Sequence, residues 1–174
     1  MQTNYTLKVF KEYFNFACAH FMIFKDGTRE PLHGHNYRVS VNGHHNTLDG
    51  DMVLDFLDLK PIVRSVCDEL DHKLLIQGEN PQLEMSKSEN QWEFKTPDGS
   101  RFSIPASDVL VLPIKNTSVE RIAGHLAKVI DLELQKKFNF SFNILEVEVE
   151  ESKGQSVIFR LIKEDQKEDQ KEDI

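Results

Sequence analysis

The sequence contains little cysteine and no long hydrophobic run. Its two cysteines are Cys18 and Cys67, and their spacing fits no disulfide framework, which is typical of a protein from a reducing compartment. No apolar stretch approaches the ~18 residues that a transmembrane helix needs. The first residues have neither a basic start nor an apolar segment, so a signal peptide is not expected. Together these features predict a cytoplasmic protein.

Positive charge is also in short supply. The 21 lysines and arginines are outnumbered by 29 aspartates and glutamates, which gives a formal net charge of −8. Such a chain is repelled by phosphate backbones and anionic lipids, so neither nucleic acid nor a membrane is expected as a partner. Hydrophobic residues make up 39% of the chain, which is enough for a core. We predict one domain over residues 1–162 and a charged low-complexity tail over residues 163–174.

The strands are predicted from alternating apolar and polar residues. This pattern covers residues 5–20 and 34–43, and it returns near the C-terminus over residues 145–149 and 157–161. Between the two pairs lie two stretches with a helical period. The order strand–strand–helix–helix–strand–strand predicts an α+β domain, with both helices on one face of an antiparallel sheet.

The helices are predicted from apolar residues at helical spacing and from capping residues. We expect the first helix to follow Asp58 and to run into residues 69–75. The second should begin near Thr117, where Thr117 and Glu120 fit a capping box. Residues 77–115 lie between the two helices and are named the excursion. Alternating residues on both sides of residues 97–99 predict a hairpin there.

Three histidines give the first functional signal. His33 and His35 are two residues apart in the second predicted strand, so their side chains point to the same face. His20 ends the first predicted strand and can meet them if the two strands pair as a hairpin. Three imidazoles without a cysteine are typical of a catalytic zinc site, in which the fourth position is left for water or substrate. A bare His-x-His pair is as often structural, so the flanking residues decide the interpretation.

Those flanking residues resemble a known family, the 6-pyruvoyl-tetrahydropterin synthase and 6-carboxy-tetrahydropterin synthase group. The similarity covers most of residues 7–76 and 116–162. It rests on five motifs in order: Phe16-x-x-Ala-His20, His33-Gly-His35-Asn-Tyr37, Leu70-Asp-His-Lys-x-Leu75, Ser118-x-Glu120 and Glu150-Glu151. Each motif is weak alone, but the ordered combination is specific.

The resemblance implies a T-fold (tunnelling fold), in which a four-stranded antiparallel sheet carries two helices on one face. The excursion is then an inserted hairpin region. In that family three subunits form a barrel, two barrels stack, and the active sites lie between subunits, so a homo-oligomer is expected as a trimer or a dimer of trimers. The resemblance also implies that His20, His33 and His35 bind Zn²⁺ and that the substrate is a pterin.

The resemblance assigns Asp71 and His72 to proton transfer. Imidazole titrates near neutral pH, and an adjacent carboxylate can orient it and stabilise its cation. The same pair could also be a feature of a helix C-terminus, where a histidine interacts favourably with the helix dipole.

The resemblance assigns Glu151 to anchoring of the pterin. A carboxylate can accept two parallel hydrogen bonds from the 2-amino group and the N3–H of the ring. If the register differs by one residue, Glu150 is the anchor, and either acid could instead be an exposed residue at a strand end. Ser118 matches a position that assists pterin binding, although its hydroxyl can also serve as a helix cap.

One departure from the family concerns the loop before His33. Members that make 6-pyruvoyl or 6-carboxy products carry a catalytic cysteine there, whereas residues 28–32 contain none and have Glu30 instead. This resembles a subgroup in which glutamate replaces cysteine and 7,8-dihydroneopterin, or its triphosphate, gives 6-hydroxymethyl-7,8-dihydropterin.

We therefore expect a zinc-dependent lyase in which Glu30, with Asp71 and His72, moves protons. The alternatives are the 6-pyruvoyl or 6-carboxy activity, or a T-fold protein that binds a pterin without turning it over.

Overall fold

The computed structural model describes residues 4–163. The helices are α1 (Phe56–Leu70) and α2 (Val119–Phe138). The strands are β1 (Tyr5–His20), β2 (His33–His45), β3 (Lys73–Gln77), β4 (Glu84–Lys87), β5 (Gln91–Lys95), β6 (Arg101–Pro105), β7 (Val109–Leu112), β8 (Ile144–Ser152) and β9 (Gln155–Ile162). Apart from residue 163, the predicted tail lies outside the described residues. No helix within residues 4–163 is long and apolar enough to cross a membrane.

The main sheet has six strands in the order β7-β3-β1-β2-β8-β9. The four predicted strands β1, β2, β8 and β9 are antiparallel neighbours within it, so the predicted arrangement is confirmed. Beyond β1, the sheet continues with β3 and β7, which pair in parallel. The sheet is therefore mixed and two strands wider than the predicted four-stranded sheet.

Strand β3 takes the place of the predicted helix end, and it could not be predicted because its sequence does not show the alternation that predicts a strand. Its core, Leu74-Leu-Ile76, is buried on both faces, and a continuous apolar run of this kind is typical of parallel strands but can also continue a helix. Helix α1 ends at Leu70, and Asp71 is its C-cap. His72 then takes a left-handed conformation with φ 58°, which turns the chain into β3.

Both helices begin at a different cap from the predicted one. The carboxylate of Asp55 accepts the Leu57 N–H at 2.7 Å and is the N-cap of α1, so Asp58 lies in the first turn. Helix α2 has Ser118 as its N-cap. Thr117 does not form the predicted capping box, because its hydroxyl donates to the backbone carbonyl of Phe21 at 2.7 Å.

Two hydrophobic clusters hold the layers together. The larger cluster lies between the main sheet and the two helices, and it takes the alternate residues Leu145, Val147 and Val149 of β8. Cys67 is buried in this cluster, as expected of a small core residue. The smaller cluster lies under the excursion and contains Phe21, Ile23, Leu74, Ile76, Leu83 and Phe94.

The excursion is a compact addition to one end of the main sheet. Strands β4, β5 and β6 form a second antiparallel sheet, in which β5 and β6 are the predicted hairpin around residues 97–99. The chain then enters β7 at the edge of the main sheet. The small cluster joins the excursion to residues 21–23, which directly follow His20. The excursion therefore packs against the loop that leads from β1 to β2.

Candidate active site

The three predicted metal ligands meet where β1 and β2 come together beside the excursion. His20 lies opposite His33 in the antiparallel register, and His35 lies two residues further along β2. One potential ligand atom from each histidine lies within 4.8 Å of the others. The ring centroids are 4.6 Å apart for His20 and His33 and 4.8 Å apart for His33 and His35. The hairpin thus brings the three imidazoles together as the sequence predicted.

Hydrogen bonds fix which nitrogen of two rings faces the cluster. The Nδ1 of His20 lies 3.0 Å from the carbonyl oxygen of Thr117, and the Nδ1 of His33 lies 2.8 Å from that of Pro31. A carbonyl oxygen can only accept, so both Nδ1 atoms carry a hydrogen and both rings turn their Nε2 atoms to the cluster. Burial lowers the pKa of His20, which favours its neutral ring with a lone pair on Nε2. Imidazoles held from behind by carbonyl groups are typical of metal ligands.

Gly34 permits the close approach of the two strands at this point. A Cβ atom at residue 34 would lie 2.6 Å from the backbone carbonyl oxygen of Cys18, a distance that real Cβ contacts do not show. Only glycine therefore fits between His33 and His35 without pushing β2 away from β1. The His-Gly-His sequence is thus explained by packing as well as by its ligands.

Glu30 lies beside the histidine cluster. Its Oε1 is 3.9 Å from Nε2 of His33, and its Oε2 accepts the backbone N–H of Met22 at 3.3 Å. The backbone N–H of Glu30 donates in turn to the Met22 carbonyl at 2.9 Å. The carboxylate is about one-quarter exposed, so it can be reached from solvent. The loop therefore presents a carboxylate at the rim of the cluster, although sequence proximity alone did not fix its direction.

Tyr37 links the histidines to Glu151. Its hydroxyl donates to Oε1 of Glu151 at 3.0 Å and lies 3.3 Å from Nε2 of His20. The tyrosine is fully buried, and its ring stacks on that of Phe16 with the centroids 4.9 Å apart. The same Glu151 oxygen is 3.6 Å from Nε2 of His35. Its spacing from His33 and His35 places Tyr37 on their face of β2, and this spacing is the sequence signal for its place in the site.

Strand alternation places Glu151 on the face that carries the histidines. Leu145, Val147 and Val149 of β8 are buried in the core, and Glu151 continues this alternation. Glu150 pairs with Ser156 and Ser152 pairs with Gln155, so Glu151 is also the extra residue of a β-bulge. Bulges commonly occur next to functional sites.

Glu150 points elsewhere. One of its carboxylate oxygens accepts the backbone N–H of Gly154 at 3.0 Å, and the other lies 4.0 Å from the guanidinium of Arg38. Among the described residues it makes no contact with the three histidines. Of the two acids left open by the sequence, only Glu151 lies at the cluster.

Asp71 and His72 form an ion pair on the other side of β1. The distance from Oδ2 of Asp71 to Nδ1 of His72 is 2.9 Å, and Oδ1 of Asp71 accepts the backbone N–H of Ala17 at 2.7 Å. The latter bond is the main cause that lowers the pKa of Asp71, with His72 adding to it. Within residues 4–163, neither residue shares a hydrogen bond or ion pair with Glu30 or the histidines. His72 and His35 do line the same open groove, which has a volume of about 550 Å³.

Two further side chains near the cluster are those of Ser118 and Cys18. Ser118 makes no side-chain hydrogen bond within the described part of the chain, so its hydroxyl is not used as a cap. Cys18 lies opposite His35 and is buried. Burial raises the pKa of the Cys18 thiol to about 12, and the nearby Asp71 and Glu151 carboxylates act in the same direction. The thiol is therefore protonated at neutral pH.

A comparison with protein families matches residues 8–161 to 6-pyruvoyl tetrahydropterin synthase. This chain belongs to that family. A protein of Methanocaldococcus jannaschii, named provisionally as a 6-carboxy-5,6,7,8-tetrahydropterin synthase, is 34% identical over 146 residues, which are 83% of this chain and 88% of the relative. The pterin synthase family predicted from the motifs is thereby confirmed.

Solved structures of pterin synthases support the same assignment. The 6-pyruvoyl tetrahydropterin synthase of Plasmodium vivax is 34% identical, with a TM-score of 0.84 over 92% of this chain and 99% of the other. The Plasmodium falciparum protein has a TM-score of 0.80 at 33% identity over the same shares. Two variants of the P. vivax enzyme replace a glutamate, described as a catalytic residue, by alanine and by cysteine.

Membership of the pterin synthase family makes this chain a lyase-type enzyme of pterin metabolism. The T-fold prediction is confirmed by the close match to the Plasmodium structures. The three-histidine cluster agrees with the metal dependence that is general in the family.

Proposed function

We propose that this enzyme cleaves the side chain of 7,8-dihydroneopterin, or of its triphosphate, and releases 6-hydroxymethyl-7,8-dihydropterin. The observation that carries the proposal is the Glu30 carboxylate, which lies 3.9 Å from Nε2 of His33 in a loop without cysteine. The glutamate described as catalytic in the P. vivax enzyme supports a carboxylate in this role. The relatives named as 6-carboxy-tetrahydropterin synthases favour the 6-carboxy product as the second candidate.

The donor set fits Zn²⁺ as the metal. His20, His33 and His35 would hold it, since three imidazoles without a cysteine are a common catalytic zinc set. Carbonyl oxygens hold the Nδ1 atoms of His20 and His33 from behind, as is usual for metal ligands. The ion would supply Lewis acidity for the side-chain hydroxyls of the substrate.

Glu30 is proposed as the acid and base. Its carboxylate takes the proton from the hydroxyl of the second side-chain carbon, and the bond between the first and second carbons breaks. The second carbon becomes the aldehyde of the leaving fragment, and a proton returns to the first carbon to give the hydroxymethyl group. Solvent access to Glu30 allows it to exchange its proton between turnovers.

The pair Asp71 and His72 is proposed as a second proton carrier. His72 has a strongly exposed side chain, and the groove that it shares with His35 is open. An open groove fits a site that a neighbouring subunit completes. The Asp71 carboxylate lies 2.9 Å from Nδ1 of His72, so it can orient the imidazole for proton transfer.

We also propose a homo-oligomer, either a trimer or a dimer of trimers, because a neighbouring subunit could complete the open groove. The edge strand β9 exposes Ile158 and Ile162, and natural proteins pair or cover such edges. Light scattering at micromolar concentration is expected to give a mass of at least three chains. A single species of 20.2 kDa would contradict the proposal.

A cytoplasmic location of the protein stays a prediction.

Glu151 is proposed to anchor the pterin ring, with Ser118 assisting. The Tyr37 hydroxyl bond holds one carboxylate oxygen in place, so the group is preorganised to accept from the 2-amino group and N3–H. Ser118 offers a hydroxyl that has no other hydrogen-bond partner within residues 4–163.

The Glu151→Gln variant is expected to bind the pterin more weakly. A charge-assisted pair is worth on the order of 1.5–3 kcal/mol, so Kd should rise roughly ten- to a hundredfold. Titration calorimetry with a pterin product measures this change. Glu150→Gln is the matched control and should bind as the wild type does. Equal weakening in both variants would mean that the anchor is another residue.

Product analysis tests the proposed function directly. Dihydroneopterin triphosphate and dihydroneopterin are each incubated with the zinc-loaded enzyme, and the products are identified by mass spectrometry. We expect 6-hydroxymethyl-7,8-dihydropterin from at least one of them. Release of only the 6-pyruvoyl or only the 6-carboxy product would replace the proposal by that activity.

A further inference from the structure

Arg29 connects the loop that carries Glu30 with the excursion. Its Nη1 donates to the backbone carbonyl of Glu30 at 2.6 Å, while its Nε lies 3.4 Å from a carboxylate oxygen of Asp98. Asp98 is in the turn between β5 and β6 of the excursion. The guanidinium also lies over the rings of Phe21 and Phe102, at 5.7 and 5.2 Å from their centroids. One side chain therefore touches both the loop backbone and the hairpin tip.

Hydrogen bonds within the turn between β5 and β6 hold Asp98, the partner of Arg29, in place. Asp98 accepts hydrogen bonds from the Thr96 hydroxyl at 2.5 Å and from the backbone N–H of Ser100 at 3.0 Å. These two bonds are the main causes that lower the pKa of Asp98 to about 2, so the carboxylate is charged under all ordinary conditions. The partner of Arg29 is therefore fixed in position and in charge.

The loop from β1 to β2 contacts the excursion at two further places. The rings of Phe21 and Phe102 stack at a centroid distance of 5.3 Å, so the start of the loop packs against β6. At the loop tip, a Cβ on Gly27 would lie 3.5 Å from Cβ of Pro97, so the tip rests on the same hairpin turn. The Arg29 side chain is only 16% exposed between these contacts. An ion pair in such a place is screened less by solvent than one on an open surface.

We propose that Arg29 is a positioning residue for Glu30, and that the excursion acts through it to hold the Glu30 carboxylate against the metal histidines. The guanidinium binds the carbonyl at the residue whose side chain must point to His33. Without it, the loop keeps its contacts with Met22 and Pro97 but loses the polar link between the Glu30 backbone and Asp98. An arginine suits this role because its planar fork can bind two acceptors at once, whereas lysine offers a single ammonium group.

This inference rests on the proposed role of Glu30, and a double-mutant cycle separates the two. Arg29→Ala, Glu30→Ala and the double variant are assayed for kcat, KM and zinc content. Displacing a reacting group by about 1 Å can cost on the order of 100-fold, so Arg29→Ala should lower kcat roughly 10- to 100-fold. KM and zinc content should change little, because Glu151 and the histidines do not touch Arg29. Arg29→Lys should give an intermediate kcat.

The decisive measurement is the change in kcat that Arg29→Ala causes in the Glu30→Ala background. If Arg29 acts through Glu30, the double variant should be no slower than Glu30→Ala alone. Lys95→Ala is the matched control, since Lys95 pairs with Glu84 at 2.7 Å in the same small sheet but does not touch the loop. It should keep the wild-type kcat.

Each contrary result has its own meaning. A wild-type kcat in Arg29→Ala, or losses that multiply in the double variant, would overturn the inference and leave the role of Glu30 intact. A wild-type rate in Glu30→Ala would overturn both. If Arg29→Ala does not fold, Asp98→Asn replaces it in the cycle. That variant keeps a side-chain acceptor for Ser100 while removing the charge that faces Arg29.

Discussion

The Glu30→Ala variant is expected to lose roughly 10²–10⁴-fold in the rate of side-chain cleavage, which is the usual contribution of a positioned general acid or base. The loss should appear in kcat, because the pterin ring is proposed to be held by Glu151. The metal content should stay as in the wild type, since the Glu30 carboxylate lies 3.9 Å from His33 and is not one of the three clustered ligands. Single-turnover kinetics and elemental analysis measure the two quantities.

Glu30→Gln separates chemistry from structure in this experiment. The amide oxygen can still accept the Met22 N–H, so the loop contact is kept while the proton acceptor is lost. We expect the same large loss as for alanine. Glu69→Ala removes an exposed carboxylate of α1 and serves as the control with an unchanged rate. An alanine variant at residue 30 with wild-type rate and product would refute the catalytic role.

Loss of one histidine ligand is expected to have an effect of similar size. Purified wild-type enzyme should contain about one zinc per chain, and His33→Ala should retain almost none. Removing a residue that merely supports a ligand costs roughly 10–100-fold in metal affinity or activity, and removing a ligand should cost more. Elemental analysis and the cleavage rate at fixed zinc concentration give the two readings.

His45→Ala is the matched control for the metal experiment. His45 ends the same strand, and its ring hydrogen-bonds to the carbonyl of Thr47 at 3.0 Å, away from the three ligands. This variant should keep its zinc and its rate. Full zinc retention in His33→Ala, or wild-type enzyme free of zinc with full activity, would show that the metal or its ligands are wrongly assigned.

The three-histidine cluster could be predicted because its geometry is mostly local. His33 and His35 share a face through the period of a strand, and a hairpin brings the end of β1 to the start of β2. The choice between Glu150 and Glu151 could not be made in this way. It depends on how β8 pairs with β2, a distant part of the chain. Val149 lies opposite Val39 in the core, so alternation puts Glu151 and not Glu150 on the face of the histidines.

The cap at Thr117 and the structure of residues 74–76 were set by contacts with distant parts of the chain. Thr117 fits a capping box by sequence, but in the folded chain its hydroxyl binds the Phe21 carbonyl 96 residues away. Leu74-Leu-Ile76 fits the end of a helix, but it gains a partner on each side as a parallel strand. In both cases a long-range contact outweighed a weak local preference.

By itself, the sequence determined the α+β order of elements, the family and the three-histidine cluster, because strand alternation and short-range motifs carry that information. The tertiary structure decided what each side chain meets across the chain. It placed the Tyr37 hydroxyl between His20 and Glu151, and it joined Arg29 to Asp98 in the excursion. Such contacts join residues from 17 to 114 positions apart in the chain, and their distances follow only from how the layers pack.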